Sequence, residues 1–395
     1  MLLSISLKNF HSFAERTLLS LTLNRRDQVH GWDRVSPSGV RLSTAMALLG
    51  ANAAGKSNLL KVGPFLAYFV RDSFSLPANE VVPFMPHQAH RSEPAEFVLV
   101  SDDDEGVTWR YELRLTPGRV LHEALYRKGV AAGDRFRYVF ERTDEGSGYA
   151  VRQQGFGLAE SEAAKVRPNV SLISWARQYG TEMALKVSDF FVSTNVIATG
   201  RVGRAASDLS EAAAFFSESA PLQDRMKALL KNWDLGLADV HLDRFEQLAP
   251  DGTATKLWYP MGLHESAGST FTLPFALESS GTQTAFLLLW RLLPALEAGG
   301  VAFIDELESD LHPHMIEPIL RLFHDPETNP RGAQIIFTCQ APEVLKLLQK
   351  AQVTFVEKSD CASTAYRGDE VAGLTSQHNF YTKYMTGALG AVPQL

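Results

Sequence analysis

An α/β fold is predicted by three short apolar runs, each ending in a turn of distinctive composition. Ala45-Met46-Ala47-Leu48-Leu49 enters a glycine loop, after which Leu59, Leu60, Val62, Phe65, Leu66 and Phe69 recur at helical spacing. Gly300-Val301-Ala302-Phe303-Ile304 ends in two acids, Asp305 and Glu306, ahead of another helix. Gln334-Ile335-Ile336-Phe337-Thr338 leads into Cys339-Gln340-Ala341-Pro342. Short apolar runs bounded by turn residues read as buried strands.

The other elements follow in chain order. Leu3, Ile5 and Leu7 alternate with polar residues, break at Asn9-Phe10-His11-Ser12-Phe13, and resume as Leu19, Leu21 and Leu23, the pattern of a β-hairpin. Residues 25–43 read as a polar loop and 75–94 as a loop containing proline and histidine. Phe97-Val98-Leu99-Val100 and Trp109, Tyr111, Leu113, Leu115 form a second hairpin, continued as a meander through 120–126 and 136–140. Its acidic turn, Asp102-Asp103-Asp104-Glu105-Gly106, reads as a solvated tip and not as a metal site. Helices are expected at 170–175, 183–191, 212–216 and 222–230, a short strand at Val240, Leu242 and Phe245, and a turn at Pro250-Asp251-Gly252. A strongly apolar helix carries Phe286, Leu287, Leu289, Trp290, Leu293 and Leu296. The last strand, 353–356, is followed by Glu357-Lys358, to which the sequence assigns no role.

With 395 residues, 45% hydrophobic and 21% charged, the chain can bury a sizeable core. A net charge of −7 argues against a surface coated for non-specific nucleic-acid binding. Cys339 and Cys361, far apart, offer neither a disulfide framework nor a zinc site and fit a reducing compartment. No stretch reaches the length of a membrane span, and Lys8 interrupts the apolar start too early for a signal peptide, so a cytoplasmic protein is expected.

Gly50-Ala51-Asn52-Ala53-Ala54-Gly55-Lys56-Ser57 fits G-x-x-x-x-G-K-[ST], and the strand before it and helix after it are the context of a P-loop. The glycines let backbone N–H groups close on phosphate oxygens, and the helix start adds unpaired donors. Lys56 supplies a point charge for the β- and γ-phosphates of ATP, and Ser57 a hydroxyl for Mg²⁺. The candidate nucleotide-binding residues are Gly50, Asn52, Ala53, Ala54, Gly55, Lys56, Ser57 and Asn58. The strand ending in Asp305 and Glu306 has the Walker B pattern: Asp305 would reach the Mg²⁺ shell and Glu306 would polarise the attacking water. Glu278-Ser279-Ser280-Gly281-Thr282-Gln283 places a second anion-binding turn at a helix start, although serines also serve as plain helix caps. His312-Pro313-His314 lacks a third ligand at metal spacing and reads as structural. Arg201-Val202-Gly203-Arg204 with Arg225, Lys227 and Lys231 reads as a solvated helix face before it reads as a basic patch.

The order of these motifs resembles the ABC-type ATPase head of the SMC/RecF class, and most of all the stand-alone ATPases of bacterial antiviral and abortive-infection systems related to the OLD family. Ile5-x-Leu7-Lys8-Asn9-Phe10-x-Ser12-Phe13, Leu229-Leu230-Lys231-Asn232-Trp233-Asp234-Leu235-Gly236-Leu237 and the ending Phe380-Tyr381-x-Lys383-Tyr384-x-x-Gly387-Ala388-Leu389-Gly390-Ala391-Val392-Pro393 are similar to segments of that family. The resemblance implies a P-loop NTPase fold of ABC type: a central, mostly parallel sheet with an antiparallel β-subdomain and a helical subdomain. It implies one split ATPase domain over 1–395, with an N-terminal lobe at 1–140, a less specific region at 141–270 and a C-terminal lobe at 271–395. Ser279 and Gly281 match the signature turn that reads the γ-phosphate of a partner subunit, and Ser309, Asp310, Leu311 and His312 match the dimer-facing D-loop. Gln340 stands where the family usually has a histidine after the last strand; an amide donates a hydrogen bond but carries no charge or proton, which bears on catalysis more than on binding. Gln88 is the nearest candidate for the Q-loop glutamine. The resemblance further implies an ATP-sandwich homodimer and a separate effector protein from the same operon, such as a nuclease, in anti-phage defence. A scaffold that hardly hydrolyses ATP and a RecF-like DNA-repair or DNA-end-binding ATPase are the other readings.

Overall fold

The computed structural model describes the chain apart from residues 28, 132, 191, 198–199, 202–205, 249–253, 372–378 and 393–395, and apart from the side chains at 200–201, 206, 247–248 and 254–256. The expected turn at Pro250-Asp251-Gly252, the stretch from Val202 to Arg204, Phe191 and Pro393 lie outside the described residues.

The three apolar runs become neighbouring strands of one sheet. Its order is Val192–Thr194, Val301–Ile304, Gln334–Thr338, Ala45–Leu49, Val353–Ser359, Ala362–Arg367. The first five are parallel and the last pairs antiparallel. Parallel strands are buried on both faces, which is why their sequences are continuously apolar instead of alternating. Alternate side chains feed two separate cores. Ala45, Ala47, Leu49, Ala302, Ile304, Ile335 and Phe337 pack with the helices Ala206–Ser217, Ala220–Asn232, Ser280–Ala298 and Ile316–His324. Met46, Leu48, Val301, Phe303 and Ile336 pack with the helix Val62–Asp72 and a second sheet.

That second sheet has seven antiparallel strands, in the order Tyr149–Gln153, Arg137–Asp144, Arg119–Lys128, Thr108–Thr116, Ala95–Asp102, Leu2–Lys8, Thr17–Ser20. It contains both hairpins and the meander expected from the sequence. The architecture is thus the α/β fold anticipated: a parallel-rich central sheet, antiparallel sheets, and helices packed on the central sheet.

Several strands escape a sequence reading. Val192–Thr194 is a three-residue edge strand, too short to show a period. Asp239–Leu248, Ala254–Ser266 and Ser269–Pro274 form a three-stranded antiparallel sheet of which only the start was expected. Pro260 and Gly262 lie within its middle strand, opposite Leu242 and Val240, and such residues argue against a strand when read locally. The loop at 25–43 contains a small ribbon, Asp33–Val35 with Arg41–Ser43.

Candidate functional site

All three expected strand ends, Leu49, Ile304 and Thr338, point to one edge of the central sheet, where open α/β folds bind ligands. At that edge the glycine loop turns into the helix Lys56–Leu60, which continues through Lys61 into Val62–Asp72. Gly55 sits at φ +112, a left-handed conformation in which a side chain is strained, and an added Cβ would also collide with Ser363 Oγ. A side chain at Gly50 would strike the carbonyl oxygen of Val356 in the neighbouring strand. Both glycines are therefore required by close approach before any ligand is considered.

Lys56 is only 7% exposed. Its Nζ donates to the carbonyl oxygens of Gly50 at 2.8 Å and Ala51 at 3.0 Å, so the ammonium closes the loop on itself. Burial holds its pKa below the ordinary lysine value, against the opposing pull of Glu308, Asp305 and Glu306. Ser57 Oγ donates to Asp305 Oδ1 at 2.8 Å, and Thr338 Oγ1 donates to the same oxygen at 2.8 Å. Thr338 Oγ1 also accepts the Glu306 N–H at 2.6 Å. Asp305 is 2% exposed, and its backbone is gripped by Asn195, whose Oδ1 accepts its N–H at 2.7 Å and whose Nδ2 donates to its carbonyl at 3.0 Å. Glu306 turns out of the strand at φ +50, an uncommon conformation for a residue with a side chain.

A second set of contacts holds the loop from the side. Asn58 Nδ2 donates to Ser12 Oγ at 3.0 Å. Ser363 Oγ donates to the Ala54 carbonyl at 2.6 Å and lies 2.8 Å from Ser12 Oγ. The first hairpin and the last strand thereby fix the loop between them. Asn52 and Ala53 are exposed, with Ala53 at φ +61.

The expected site residues divide into two groups. Lys56, Ser57, Asn58, Asp305 and Glu306 converge with the loop. Ser279 and Gly281 stand elsewhere, at the head of the helix Ser280–Ala298. Ser279 is exposed and caps that helix, its Oγ accepting the Thr282 N–H at 3.2 Å. An added Cβ on Gly281 would lie 3.0 Å from the Asp310 carbonyl oxygen, so this turn abuts the segment after the acids. His264 braces it from the three-stranded sheet, Nε2 on Glu278 Oε1 at 2.7 Å. Gln340 is exposed at the end of its strand, its N–H donating to Glu308 Oε1 at 2.7 Å. Gln88 pairs with Arg91 at the surface, accepting from Nε at 2.7 Å.

Other side chains also find partners. His312 Nδ1 accepts the His314 N–H at 3.2 Å, a local turn contact. Arg225 donates to the Thr328 carbonyl at 2.7 Å, and Lys227 lies 3.7 Å from Asp239. Glu357 accepts from Tyr366 OH at 3.1 Å and from the Ala391 N–H at 2.6 Å, which pins the C-terminal segment to the strand beside the loop.

Sequence reasoning missed Thr338, Asn195, Ser12 and Ser363. Thr338 was legible in principle, since a polar residue ending a buried strand at the edge that carries Asp305 marks the same site. Asn195, in the bend after the strand Val192–Thr194, and Ser363 gave no signal, because they come to this edge only in the folded sheet.

The sequence model of the family described as "AAA domain, putative AbiEii toxin, Type IV TA system" matches residues 45–346. No curated protein matches the chain. Among solved structures it is similar to the SMC head domain from Thermotoga maritima, at 13% identity over 93% of this chain and 98% of that one, with a TM-score of 0.42. It is similar also to an Smc head bound to the C-winged helix domain of ScpA, at 14% identity over 98% and 99% of the two chains, with a TM-score of 0.45. A third is an Smc head domain with a coiled coil and joint derived from Pyrococcus yayanosii, at 11% identity over 98% and 99%, with a TM-score of 0.45. No described helix is long and apolar enough to cross a membrane.

Proposed function

The chain belongs to the family described as "AAA domain, putative AbiEii toxin, Type IV TA system", and on that premise we propose that it binds and hydrolyses ATP as a dimeric switch controlling a separate effector protein. The observation that carries the ATPase reading is the meeting of Ser57, Asp305 and Thr338 at 2.8 Å beneath the glycine loop. A hydroxyl and a carboxylate side by side are the hard oxygen donors that Mg²⁺ takes alongside phosphate oxygens and water, so the residues fit that ion. Ser57 and Asp305 would hold that ion, which would supply positive charge to a bound triphosphate. Lys56 exchanges the Gly50 and Ala51 carbonyls for phosphate oxygens, and the loop N–H groups close on the same oxygens. Glu306 accepts the proton of the attacking water, and the Gln340 amide donates to the γ-phosphate. Thr338 and Asn195 keep Asp305 and the Glu306 backbone in register throughout.

Ser279 and Gly281 serve the nucleotide of a second copy. Support comes from the exposure of Ser279 and Ser280 beside Leu277, 72% accessible, and from the place of Gly281 against the Asp310 carbonyl. Two nucleotides then join two subunits, and loss of the γ-phosphate parts them. The toxin–antitoxin wording of the family description supports a separate output protein from the same operon.

Turnover by wild type and by Glu306→Gln, with sedimentation in ATP, tests this. Wild type should hydrolyse ATP, and Glu306→Gln should bind it, remain dimeric, and turn over about 100-fold more slowly. A wild type that stays monomeric in saturating ATP would sink the switch. Two equally inert proteins that both dimerise would leave a scaffold, and steeply salt-dependent binding to duplex DNA would favour the RecF-like reading.

A further inference from the structure

Glu308 has no part in the reaction described above, yet it touches Gln340 and Cys339 and its charge acts on Lys56. Its Oε1 accepts the Gln340 N–H at 2.7 Å, which ties the turn after the acids to the end of the Thr338 strand. Its Oε2 is buried with no N–H or O–H donating to it. The Cys339 thiol lies within hydrogen-bonding reach of Glu308 and of the Ala341 carbonyl, 3.5 Å away; burial and the Glu308 charge push its pKa far up. Across the site, Glu308 comes first among the carboxylates whose charge opposes the effect of burial on Lys56. The Cys339 N–H donates to the Leu48 carbonyl at 3.2 Å, so Gln340 leaves the sheet beside the strand that carries the glycine loop.

Chemistry gives this tie a purpose. Gln340 offers a neutral amide on a flexible, exposed side chain, and a neutral hydrogen bond is weaker and more dependent on geometry than a charged one. Such a donor works only if its backbone is held still. A carboxylate accepting a backbone N–H is a strong tether of that kind. We propose that Glu308 is a positioning residue: it anchors the backbone of Gln340 so that the amide is presented to the phosphate end of the glycine loop. This rests on the reading of the loop as a nucleotide site.

Thiol labelling tests the tether without nucleotide. Cys361 is exposed and serves as the internal control, while Cys339 is buried. With Ellman's reagent, Glu308→Ala should label at Cys339 about tenfold faster than wild type. Glu308→Gln keeps an oxygen that accepts the Gln340 N–H but loses the charge that raises the Cys339 pKa, so it should label faster than wild type and more slowly than Glu308→Ala. In turnover, Glu308→Ala should lose about tenfold in kcat while its Kd for ATP moves less than about threefold, and Glu308→Gln should restore kcat. In a Gln340→Ala background the Glu308→Ala change should cost less than about twofold more, because it acts through Gln340. Unchanged Cys339 labelling in Glu308→Ala overturns the tether. Faster labelling with unchanged kcat reduces it to a structural contact, and an undiminished loss in the Gln340→Ala background makes Glu308 act on its own; either result overturns the positioning role. A wild type that binds no ATP overturns the nucleotide reading itself, and is seen before any variant is made.

Discussion

The glycine loop and the serine–glycine turn at the head of Ser280–Ala298 are built from similar residues and set in opposite surroundings. Both put small residues at a helix start. The loop is locked by its own chain: Lys56 bonds its carbonyls, Ser363 holds Ala54, and Ser57 reaches Asp305. The turn is held by its own cap, by Gln283 Nε2 on the Glu278 carbonyl and by the His264–Glu278 contact, and Ser279 and Ser280 face outward. The difference teaches that a helix start alone does not define a phosphate site. What distinguishes the loop is the convergence of three strand ends and a buried carboxylate; what distinguishes the turn is its availability to another molecule.

The comparison is sharpest where a variant strikes one region and spares the other. Lys56→Ala should weaken ATP binding by one subunit on the order of 100-fold, the loss of a charged donor to phosphate. Gly281→Asp should leave that affinity within about twofold yet abolish ATP-dependent dimers, as titration calorimetry and sedimentation would read. An equimolar mixture of the two variants should recover turnover, since a mixed dimer holds one site with both halves intact. Equal loss of ATP affinity in both variants would erase the distinction.

Stability should divide the regions less widely. Asn195→Ala removes its two hydrogen bonds to the Asp305 backbone and should cost about 2–3 kcal/mol in a denaturant melt. Ser279→Ala removes only a helix cap and should cost about 1 kcal/mol.

The smallest effect concerns pH. Burial keeps Lys56 below its ordinary 10.5 despite Glu308, Asp305 and Glu306. Between that lowered value and 10.5 the unfolded chain binds a proton the folded chain has released, so the nucleotide-free protein gains stability as pH rises through this window. Lys56→Met lacks this term, and wild type should gain stability relative to it over the same range in urea melts. A flat difference would mean the loop lysine is as well solvated as one on the surface.

Much of this was legible locally. Residues 45–69 and 300–306 carry their own context, because a buried parallel strand must be apolar along its length and a phosphate loop needs its two glycines at a fixed short spacing. The three-stranded sheet through 254–274 was not legible, because Pro260 and Gly262 are tolerated there only by the pairing with 239–248. Gln88, read as a candidate for the site, is satisfied by Arg91 three residues away, a contact that no motif announces.

The sequence by itself determined which residues could hold a phosphate and which strand ends in acids, since both depend on neighbours within about ten positions. Only the tertiary structure decided what supports them. Asn195 meets Asp305 across 110 positions and Thr338 meets it across 33, and Ser363 reaches the loop across 309. Side chains so far apart share a site because parallel pairing brings their strand ends to one edge, and that edge exists only once the sheet has formed.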